Sequence, residues 1–391
     1  MINFDGVDKQ AIEERLSAIF DSLKQSRPEK CYGVLDGLSG SVLFFALYYK
    51  YSGRDDVFEA LNDSLDILFE QLPAVTNPTL CMGSSGICWL LRMLQKENLL
   101  DADDIDDALS EVDAYIDRLF DLLFCNDIDY LHGGMGISFY YLFCRPESSR
   151  SHIDLFFEKL LSKKQDREDG GCMWITREND GKQDLDVINL GLSHGMASTI
   201  VFLSKYYELT HNPKAKETLY QAIRFYKSNE NPPEFKSMFR PWIIPGQEDE
   251  YRESRLAWCY GDLGIAAAIN YSSRVFEDKE LFDYSVSIVD KTTRRFSDTL
   301  ISEETFCHGS CGASYLYRHF YKLTGKEEYR LAAQHWLDRT MAGIQDLDAR
   351  LPGNHEDVSP NSVLGGLAGV GLSLLSFASG KDEWGELLLL I

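Results

Sequence analysis

Short apolar runs alternate along the chain with longer amphipathic stretches, and a glycine turn precedes each apolar run. The turn has the form Gly-x-x-Gly and occurs seven times, with Ser198 in place of the second glycine in the fourth copy. Runs that are apolar nearly all round are typical of helices buried on every side. The turns and their runs are 37–40 before 41–49, 83–86 before 87–94, 133–136 before 137–143, 195–198 before 199–207, 261–264 before 265–271, 309–312 before 313–323, and 366–369 before 370–377.

The stretches between the turns repeat apolar residues every three or four positions, which is the pattern of a helix with one buried face. Val57, Leu61, Leu65 and Leu68 show this spacing. Because a single hairpin cannot bury its apolar helix alone, the pattern predicts an all-α fold in which neighbouring hairpins close into an α/α toroid. We predict a single domain over 1–391, a double barrel of seven outer and seven inner helices. The predicted outer helices are 9–24, 56–72, 103–124, 152–163, 213–227, 279–295 and 327–344.

The glycine turns have a physical role in such a fold. Seven helix N-termini would converge at one end of the ring, and glycine allows both their close approach and a positive φ. The unpaired amides at those N-termini carry partial positive charge, which favours anions and thiolates. We therefore expect the functional site at the end where the turns meet.

Two segments interrupt the repeat. The third and fourth intervals between turns are 62 and 66 residues long, whereas the others are 46 to 57. Segments 172–176 and 185–190 have the composition of short strands separated by 177–184, so we predict a small β-containing insertion at about 166–190. The segment 229–252 contains four prolines and an acidic cluster, and it predicts a long loop of the kind that often has a function.

Composition limits the classes of function. The 391 residues are 44% hydrophobic and carry a formal charge of −23, which argues against a nucleic acid partner because phosphate binding needs clustered positive charge. The first nine residues contain no apolar signal segment, and no run approaches the roughly eighteen apolar residues that cross a bilayer. We expect a cytoplasmic protein in which most of the nine cysteines are thiols.

Aligning the turns on their first glycine brings cysteine and histidine to matching positions. Cys259 and Cys307 stand two residues before a turn glycine, and His308 stands one residue before. The fifth and sixth repeats are expected neighbours, so these side chains can together offer zinc two sulfur ligands and one nitrogen ligand, with the fourth position open. Cys81 has the same position in the second turn and Cys311 lies inside the sixth, so both remain alternative ligands. Without a metal, the cysteines would be packed thiols and His308 a cap.

The ligand set itself indicates a class of reaction. Two thiolates and a neutral imidazole already balance the +2 charge of zinc, so a bound water would not become strongly acidic. A thiol that joins the zinc is deprotonated and still nucleophilic. Addition or alkylation of a thiol is therefore favoured over hydrolysis.

The motifs at these positions resemble those of the lanthionine synthetase C-like family, the lanthipeptide cyclases. The resemblance rests on Trp258-Cys259-Tyr260-Gly261, Cys307-His308-Gly309, Ser193-His194-Gly195 and the sevenfold glycine turn, and it spans about 33–374. It implies a double α-toroid with one zinc ion, of the length of the free-standing bacterial cyclases. It also implies a precursor peptide as substrate, in which cysteine thiols add to dehydroalanine or dehydrobutyrine and close lanthionine or methyllanthionine rings during antibiotic biosynthesis.

Such an addition leaves an enolate that needs a proton at its α-carbon, and His194, one residue before the fourth turn, is the candidate general acid. The resemblance assigns site positions to Asp129, Arg255 and Tyr260. Asp129 would take the thiol proton or orient His194, while Arg255 and Tyr260 would stabilise the enolate or hold substrate carbonyls. The structural alternatives are a helix cap for Asp129, a surface ion pair for Arg255 and a capping or packed side chain for His194. Two further residues ahead of turn glycines are Asp36 and His132, which we expect to be caps or hydrogen-bonded turn residues.

Two other functions remain open. A cyclase-like enzyme of the same fold would instead add glutathione to dehydrated residues in proteins, and a non-catalytic, zinc-stabilised component would bind the precursor peptide within a biosynthetic complex. The resemblance also implies partners, namely a dehydratase that prepares the substrate and an ABC transporter that would bring the cyclase to the membrane periphery.

Overall fold

The helices predicted from the repeat are present in the structure. A computed structural model describes residues 4, 7–26, 31–179, 183–297, 299–345 and 359–390. Over these residues the amphipathic and the apolar helices alternate, which confirms the predicted all-α class. The amphipathic helices are α1 Lys9–Gln25, α3 Asp55–Gln71, α5 Ala102–Leu119, α7 Arg150–Lys163, α9 Pro213–Ser228, α11 Lys279–Thr292 and α13 Glu327–Gly343. The apolar helices are α2 Leu38–Ser52, α4 Ser84–Lys96, α6 Gly134–Cys144, α8 Met196–Thr210, α10 Asp262–Val275, α12 Ser310–Thr324 and α14 Leu367–Ser379.

Three short helical segments adjoin these elements. Leu72–Ala74 continues α3 as a 3₁₀ turn, and Glu383–Leu388 is a 3₁₀ helix after α14. The predicted helix 103–124 is regular only as far as Leu119, and Phe120–Phe124 continues it as a π-helix. In the described part of the chain, no helix is both long and apolar enough to cross a membrane.

The two kinds of helix differ in burial as their patterns predict. Every residue from Leu367 to Ala378 of α14 is buried, and so is every residue from Asp262 to Ser273 of α10. Helix α3 instead buries one face, formed by Val57, Leu61 and Leu65 among others. Full burial of a leucine or valine side chain contributes about 1.5–3 kcal/mol. The apolar helices therefore lie in the core, and amphipathic helices pack against them, as α13 packs against α12 and α11 against α10.

The turn glycines are needed mainly for close backbone approach. The first glycine caps the helix, which begins at the next residue, so the second glycine lies in the first helical turn. A Cβ on Gly312 or on Gly369 would lie only 1.8 Å from the carbonyl oxygen of the residue six positions earlier. The expectation of a positive φ at the first glycine holds at Gly37, with φ of +143°, and at Gly261, with φ of +159°. In the other five turns that φ is negative. At Gly83, Gly195, Gly309 and Gly366 close backbone approach is the reason for glycine.

The chain divides into two compact units. The first contains Met1–Phe124, Leu131–Arg145 and Ser302–Asp382, and the second contains Cys125–Tyr130, Pro146–Ile301 and Glu383–Ile391. The prediction of one domain over 1–391 stays a prediction.

In the first unit, backbone hydrogen bonds join the residues that stand two positions before each turn glycine. Cys307 donates its N–H to the carbonyl of Leu364 at 2.8 Å, and Leu364 donates to Leu35 at 3.1 Å. Leu35 in turn donates to Cys81 at 3.1 Å, and Cys81 donates to Leu131 at 3.1 Å. The turns of this unit therefore follow one another in the order six, seven, one, two, three, so the end of the repeat series adjoins its beginning.

The second unit contains the fourth and fifth turns, which are joined in the same way. The carbonyl of Cys259 accepts the N–H of Leu192 at 2.8 Å and that of Ser193 at 3.4 Å. Gly191 allows this approach, because a Cβ there would lie 2.5 Å from the same carbonyl oxygen.

The predicted insertion at 166–190 contains strands, but their bounds differ from those expected. Its strands are β1 Gln165–Asp166, β2 Cys172–Met173, β3 Thr176–Asn179 and β4 Asp184–Asn189. Strand β1 pairs with β2, and β3 pairs with β4, both antiparallel. The predicted link 177–184 is wrong at both ends, because Arg177 continues β3 opposite Asp186 and Asp184 already belongs to β4. Polar residues at this place gave no strand pattern, and pairing with β4 decides the conformation. Residues 180–182 of the link lie outside the described residues.

The segment 229–252 is a loop, as predicted, except for strand β5 Trp242–Ile243, which pairs with the end of β4. The buried carboxylate of Asp262, the first residue of α10, holds this loop. It accepts the backbone N–H of Met238 at 2.8 Å and that of Phe239 at 2.9 Å. The loop is thus fixed to the start of the helix that follows the fifth turn.

Candidate active site

His194 and Asp129 form a close pair in the second unit. Nδ1 of His194 lies 2.6 Å from Oδ2 of Asp129, and about a quarter of each side chain is exposed. The Asp129 N–H is bound to the carboxylate of Asp127 at 3.1 Å, which fixes the backbone ahead of the third turn. Burial lowers the pKa of His194, but the hydrogen bond to Asp129 and the negative charges of Asp129 and Glu178 outweigh it, so the pKa lies above its usual value. This pairing suits a histidine that must hold a proton near neutral pH.

Tyr260 lies beside this pair. Its ring centroid is 5.9 Å from that of His194. Its hydroxyl lies 3.4 Å from both Nδ2 of Asn189 and Oε2 of Glu178, and Oε1 of Glu178 accepts a hydrogen bond from Asn189 at 2.5 Å. Burial, assisted by the charge of Glu178, raises the pKa of Tyr260 well above its usual value, so the phenol stays protonated and can donate a hydrogen bond.

The side chain of Arg255 makes no polar contact that joins it to His194, Asp129 or Tyr260 in the described part of the chain. Its side chain is exposed and makes no hydrogen bond or ion pair with the described residues. Its backbone does have a structural role, because the carbonyl oxygen packs where a Cβ on Gly261 would stand, at 2.0 Å. A role for the guanidinium stays a prediction.

The residues predicted to bind zinc are Cys259, Cys307 and His308. Cys259 is buried, and the other two are partly exposed. One ligand atom from each lies within 4.8 Å of the others. In a tetrahedral zinc site with bonds of about 2.0–2.3 Å, ligand atoms stand roughly 3.5–3.8 Å apart. The donor set and its spacing therefore fit zinc after a small adjustment of side chains.

A buried glutamate contacts the histidine of this group. Nε2 of His308 lies 2.6 Å from Oε1 of Glu303, and the Thr305 hydroxyl donates to the same oxygen at 2.8 Å. Glu303 and Thr305 both belong to the loop ahead of α12.

The alternative ligands Cys81 and Cys311 lie outside the group of three identified among the described residues. Burial raises the pKa of the Cys311 thiol to about 12, and its sulfur lies 4.0 Å from the Gly369 carbonyl oxygen, as expected of a packed thiol. Cys81 is buried and uses its backbone to connect the turns.

Asp36 and His132, the two expected caps, lie in the first unit. Burial raises the pKa of Asp36, while a hydrogen bond to Ser362 and the charge of His132 oppose the shift. The side chain of His132 is exposed. Neither residue belongs to the group of ligands identified in the described chain.

Glu178, Asn189 and Glu303 were missed by the sequence analysis. Asn189 and Glu303 both stand six residues before a turn glycine, as Arg255 does. The carbonyl of that residue packs over the glycine in each of these turns. Extending the alignment of the turns to this position would have found both residues. Glu178 lies in β3 and has no such signal.

Comparison with known proteins connects this arrangement to a family. The model of the family described as lanthionine synthetase C-like protein matches residues 30–389. The nisin biosynthesis protein NisC of Lactococcus lactis subsp. lactis is 23% identical over 279 residues, which cover 68% of this chain and 64% of that protein. The match thus spans less than two thirds of the relative's length. Among solved structures, nisin cyclase superposes with a TM-score of 0.74 at 18% identity, covering 98% of this chain and 97% of that chain. At this identity the superposition concerns the fold, and it agrees with the predicted class.

Proposed function

The chain belongs to the lanthionine synthetase C-like family, and from this premise we propose that it is a zinc-dependent lanthipeptide cyclase. The reaction is the addition of a cysteine thiol in a peptide to a dehydroalanine or dehydrobutyrine of the same peptide. A C–S bond forms at the β-carbon, the C=C double bond becomes single, the thiol loses its proton and the α-carbon gains one. The product is a lanthionine or methyllanthionine ring.

The observation that carries this proposal is the convergence of Cys259, Cys307 and His308. Zinc bound by these residues would hold the substrate thiol as a thiolate, since its own ligand set already balances its charge. A fully charged thiolate remains nucleophilic enough for addition.

The second part of the reaction falls to His194. Its raised pKa favours the protonated imidazole, which can deliver a proton to the α-carbon of the enolate. Asp129 holds the ring through Nδ1, so the transferred proton is the one on Nε2. We assign Tyr260 to a hydrogen bond with the enolate oxygen and Arg255 to a carbonyl of the peptide.

The setting we propose follows from family membership. The cyclase would act in the cytoplasm on a precursor peptide that a dehydratase has prepared, and it would meet an ABC transporter at the membrane. The formal charge of −23 supports a peptide rather than a nucleic acid as the polymer that it binds.

The direct test uses a synthetic peptide with one dehydroalanine and one cysteine. Ring closure leaves the mass unchanged but removes the thiol, so iodoacetamide labelling followed by mass spectrometry counts the closed rings. We expect wild-type protein to contain about one zinc ion per chain and to close the ring faster than buffer does. Cys307→Ala should lose both the zinc and the acceleration.

Two controls separate the alternatives. A peptide in which serine replaces the cysteine, incubated with glutathione, should gain no glutathione beyond the uncatalysed amount. Glutathione addition without ring closure would identify the glutathione-adding enzyme instead. Zinc binding without turnover of either peptide would identify a non-catalytic binding component.

A further inference from the structure

Glu303 is a buried carboxylate in direct contact with His308. Only 9% of the residue is exposed, and its Oε1 lies 2.6 Å from Nε2 of the imidazole. The same oxygen accepts a hydrogen bond from the Thr305 hydroxyl at 2.8 Å. A carboxylate is costly to bury unless hydrogen bonds compensate it. These two donors therefore explain how the glutamate is accommodated, and they fix its position.

The backbone of the same loop holds this arrangement in place. The Glu303 carbonyl accepts the N–H of Ser310, the first residue of α12, at 2.9 Å. Gly309 lets the loop fold back, because a Cβ there would lie 2.3 Å from the backbone nitrogen of Thr305. Cys307 donates its N–H to the Leu364 carbonyl at 2.8 Å. Carboxylate and imidazole are thus carried by one short loop that is tied to the start of a buried helix.

The chemistry of the contact selects one tautomer of the histidine. A neutral imidazole has one N–H and one lone pair, and a carboxylate only accepts. We propose that Glu303 is the positioning residue of His308, holding the proton on Nε2 and so presenting the lone pair of Nδ1 to the metal. This inference rests on the zinc role in the proposed function. A carboxylate in this position also makes the imidazole a more basic ligand, as in other carboxylate–histidine–zinc arrangements.

The geometry favours this role over direct ligation by the glutamate. The ligand group found among the described residues contains Cys259, Cys307 and His308 but no carboxylate. Oε1 of Glu303 is committed to His308 and Thr305. The glutamate therefore lies behind the histidine, and a zinc ion held by the two cysteines and His308 would keep a fourth position for a substrate thiol.

Zinc affinity, measured by competition with a chromophoric chelator, tests the inference without any peptide substrate. Glu303→Ala should lower the affinity about 10- to 100-fold, as removal of such outer partners usually does. Glu303→Gln should lower it less, because the amide oxygen can still accept the N–H. The matched control is Glu304→Gln, which makes the same change in the next residue. Glu304 is also buried, but its carboxylate packs against Gly343.

Cobalt substitution and nitrogen NMR decide what a loss of affinity means. In Co²⁺-loaded Glu303→Gln protein, the sulfur-to-metal absorption and the four-coordinate visible bands should match those of wild type. A change to a different coordination number would show that Glu303 is itself a ligand and would overturn the positioning role. In metal-free wild-type protein, ¹⁵N NMR of histidine should show the His308 proton on Nε2, whereas Glu303→Ala should show a mixture of tautomers.

These readouts also separate this inference from the proposed function. If wild type binds zinc but closes no rings, and Glu303→Ala weakens zinc, the positioning role stands and the cyclase proposal fails. If wild type closes rings and Glu303→Ala binds zinc as tightly as wild type does, the positioning role fails alone. Thermal unfolding of each variant verifies that it is folded, and Thr305→Val, which removes only the hydroxyl donor to Glu303, should weaken zinc in the same direction but less.

Discussion

His194 and His308 stand at the same position, one residue ahead of a turn glycine, and each contacts a carboxylate at 2.6 Å. They do so through different nitrogens. His194 turns Nδ1 to Asp129, so its chemistry with a substrate would fall to Nε2, while His308 turns Nε2 to Glu303, so the lone pair belongs to Nδ1. The repeat alone therefore does not determine the role of a histidine. The carboxylate beside it does, because it selects the nitrogen that acts.

The two carboxylates also come from different distances along the chain. Glu303 precedes His308 by five residues in one loop, whereas Asp129 precedes His194 by 65 residues. The first pair needs only the local path of the loop, and the second needs two repeats to pack correctly. We therefore expect the His308 pair to keep its geometry after changes that disturb the His194 pair.

The largest expected effect comes from removing each imidazole in turn. His194→Ala should retain zinc and slow ring closure by about 10²–10⁴-fold, the usual contribution of a positioned general acid. His308→Ala should lose the zinc and with it the whole acceleration, since two thiolates alone make a weak site. Elemental analysis after desalting and the thiol-labelling assay measure the two properties separately.

His132→Ala is the matched control, because His132 also precedes a turn glycine but has an exposed side chain. It should keep both zinc and activity. Full activity in His194→Ala would remove this residue from the mechanism, and zinc loss in His194→Ala would mean that the two histidines do not have separate roles.

The sequence was sufficient to predict the helices and to align the turns, since both follow from strict apolar spacing and repeated glycines. The alignment alone places His194 and His308 at equivalent positions, one residue before a turn glycine. It could not show their partners, because 62 acidic residues are present and a buried carboxylate has no distinctive local pattern. Asp129 was found only through the family resemblance, and Glu303 was not found.

The strands also contain residues whose conformation the local sequence pattern did not predict. The sequence indicated an insertion near 166–190, but the polar residues Arg177 and Glu178 were assigned to a link, and Trp242 to a loop. All three belong to strands. Their conformation depends on pairing with another strand, which is the next one along the chain for Arg177 and Glu178 and a distant one for Trp242. Local propensity does not report such pairing. This error also concealed Glu178, whose carboxylate reaches Tyr260 from the paired strand.

A smaller effect is expected when the His194 pair is weakened rather than removed. Asp129→Asn removes the charge that raises the pKa of His194, so the histidine should lose its proton at a lower pH. The alkaline decline of the ring-closure rate should therefore move to lower pH. At neutral pH the rate should fall roughly tenfold, given that a hydrogen bond to a charged group contributes about 1.5–3 kcal/mol. Zinc content should not change, and a pH–rate profile of both proteins measures the shift.

The same substitution has a defined effect on stability. The pKa of His194 is raised in the folded protein, so the pair stabilises the fold fully below the unfolded pKa of about 6.5 and ceases to do so as pH rises through the folded value. The difference in melting temperature between wild type and Asp129→Asn should thus be larger in mildly acidic buffer than in alkaline buffer. A difference that grows with pH would contradict the assignment of the raised pKa to Asp129.

The smallest expected effect comes from Glu178→Gln. The Glu178 carboxylate is 3.4 Å from the Tyr260 hydroxyl and acts on His194 only through its charge, so it is a weaker partner than Asp129. Its loss should move the alkaline decline of the rate in the same direction as Asp129→Asn does, but by less. Zinc affinity should remain that of wild type, since the Glu178 carboxylate is hydrogen-bonded to Asn189 and Tyr260.

Arg177→Gln provides the control in the same strand, because the Arg177 side chain is 72% exposed and pairs with Asp186 instead. The Arg177→Gln protein should show the same pH dependence of the ring-closure rate as wild type. If Glu178→Gln shifted the pH profile as far as Asp129→Asn does, the charge of Glu178 would be as important for His194 as the direct hydrogen bond with Asp129. The role of His194 would then no longer be set by a single carboxylate. If Glu178→Gln produced no shift, the strand would serve only to pack Tyr260, and Asp129 alone would account for the raised pKa of His194.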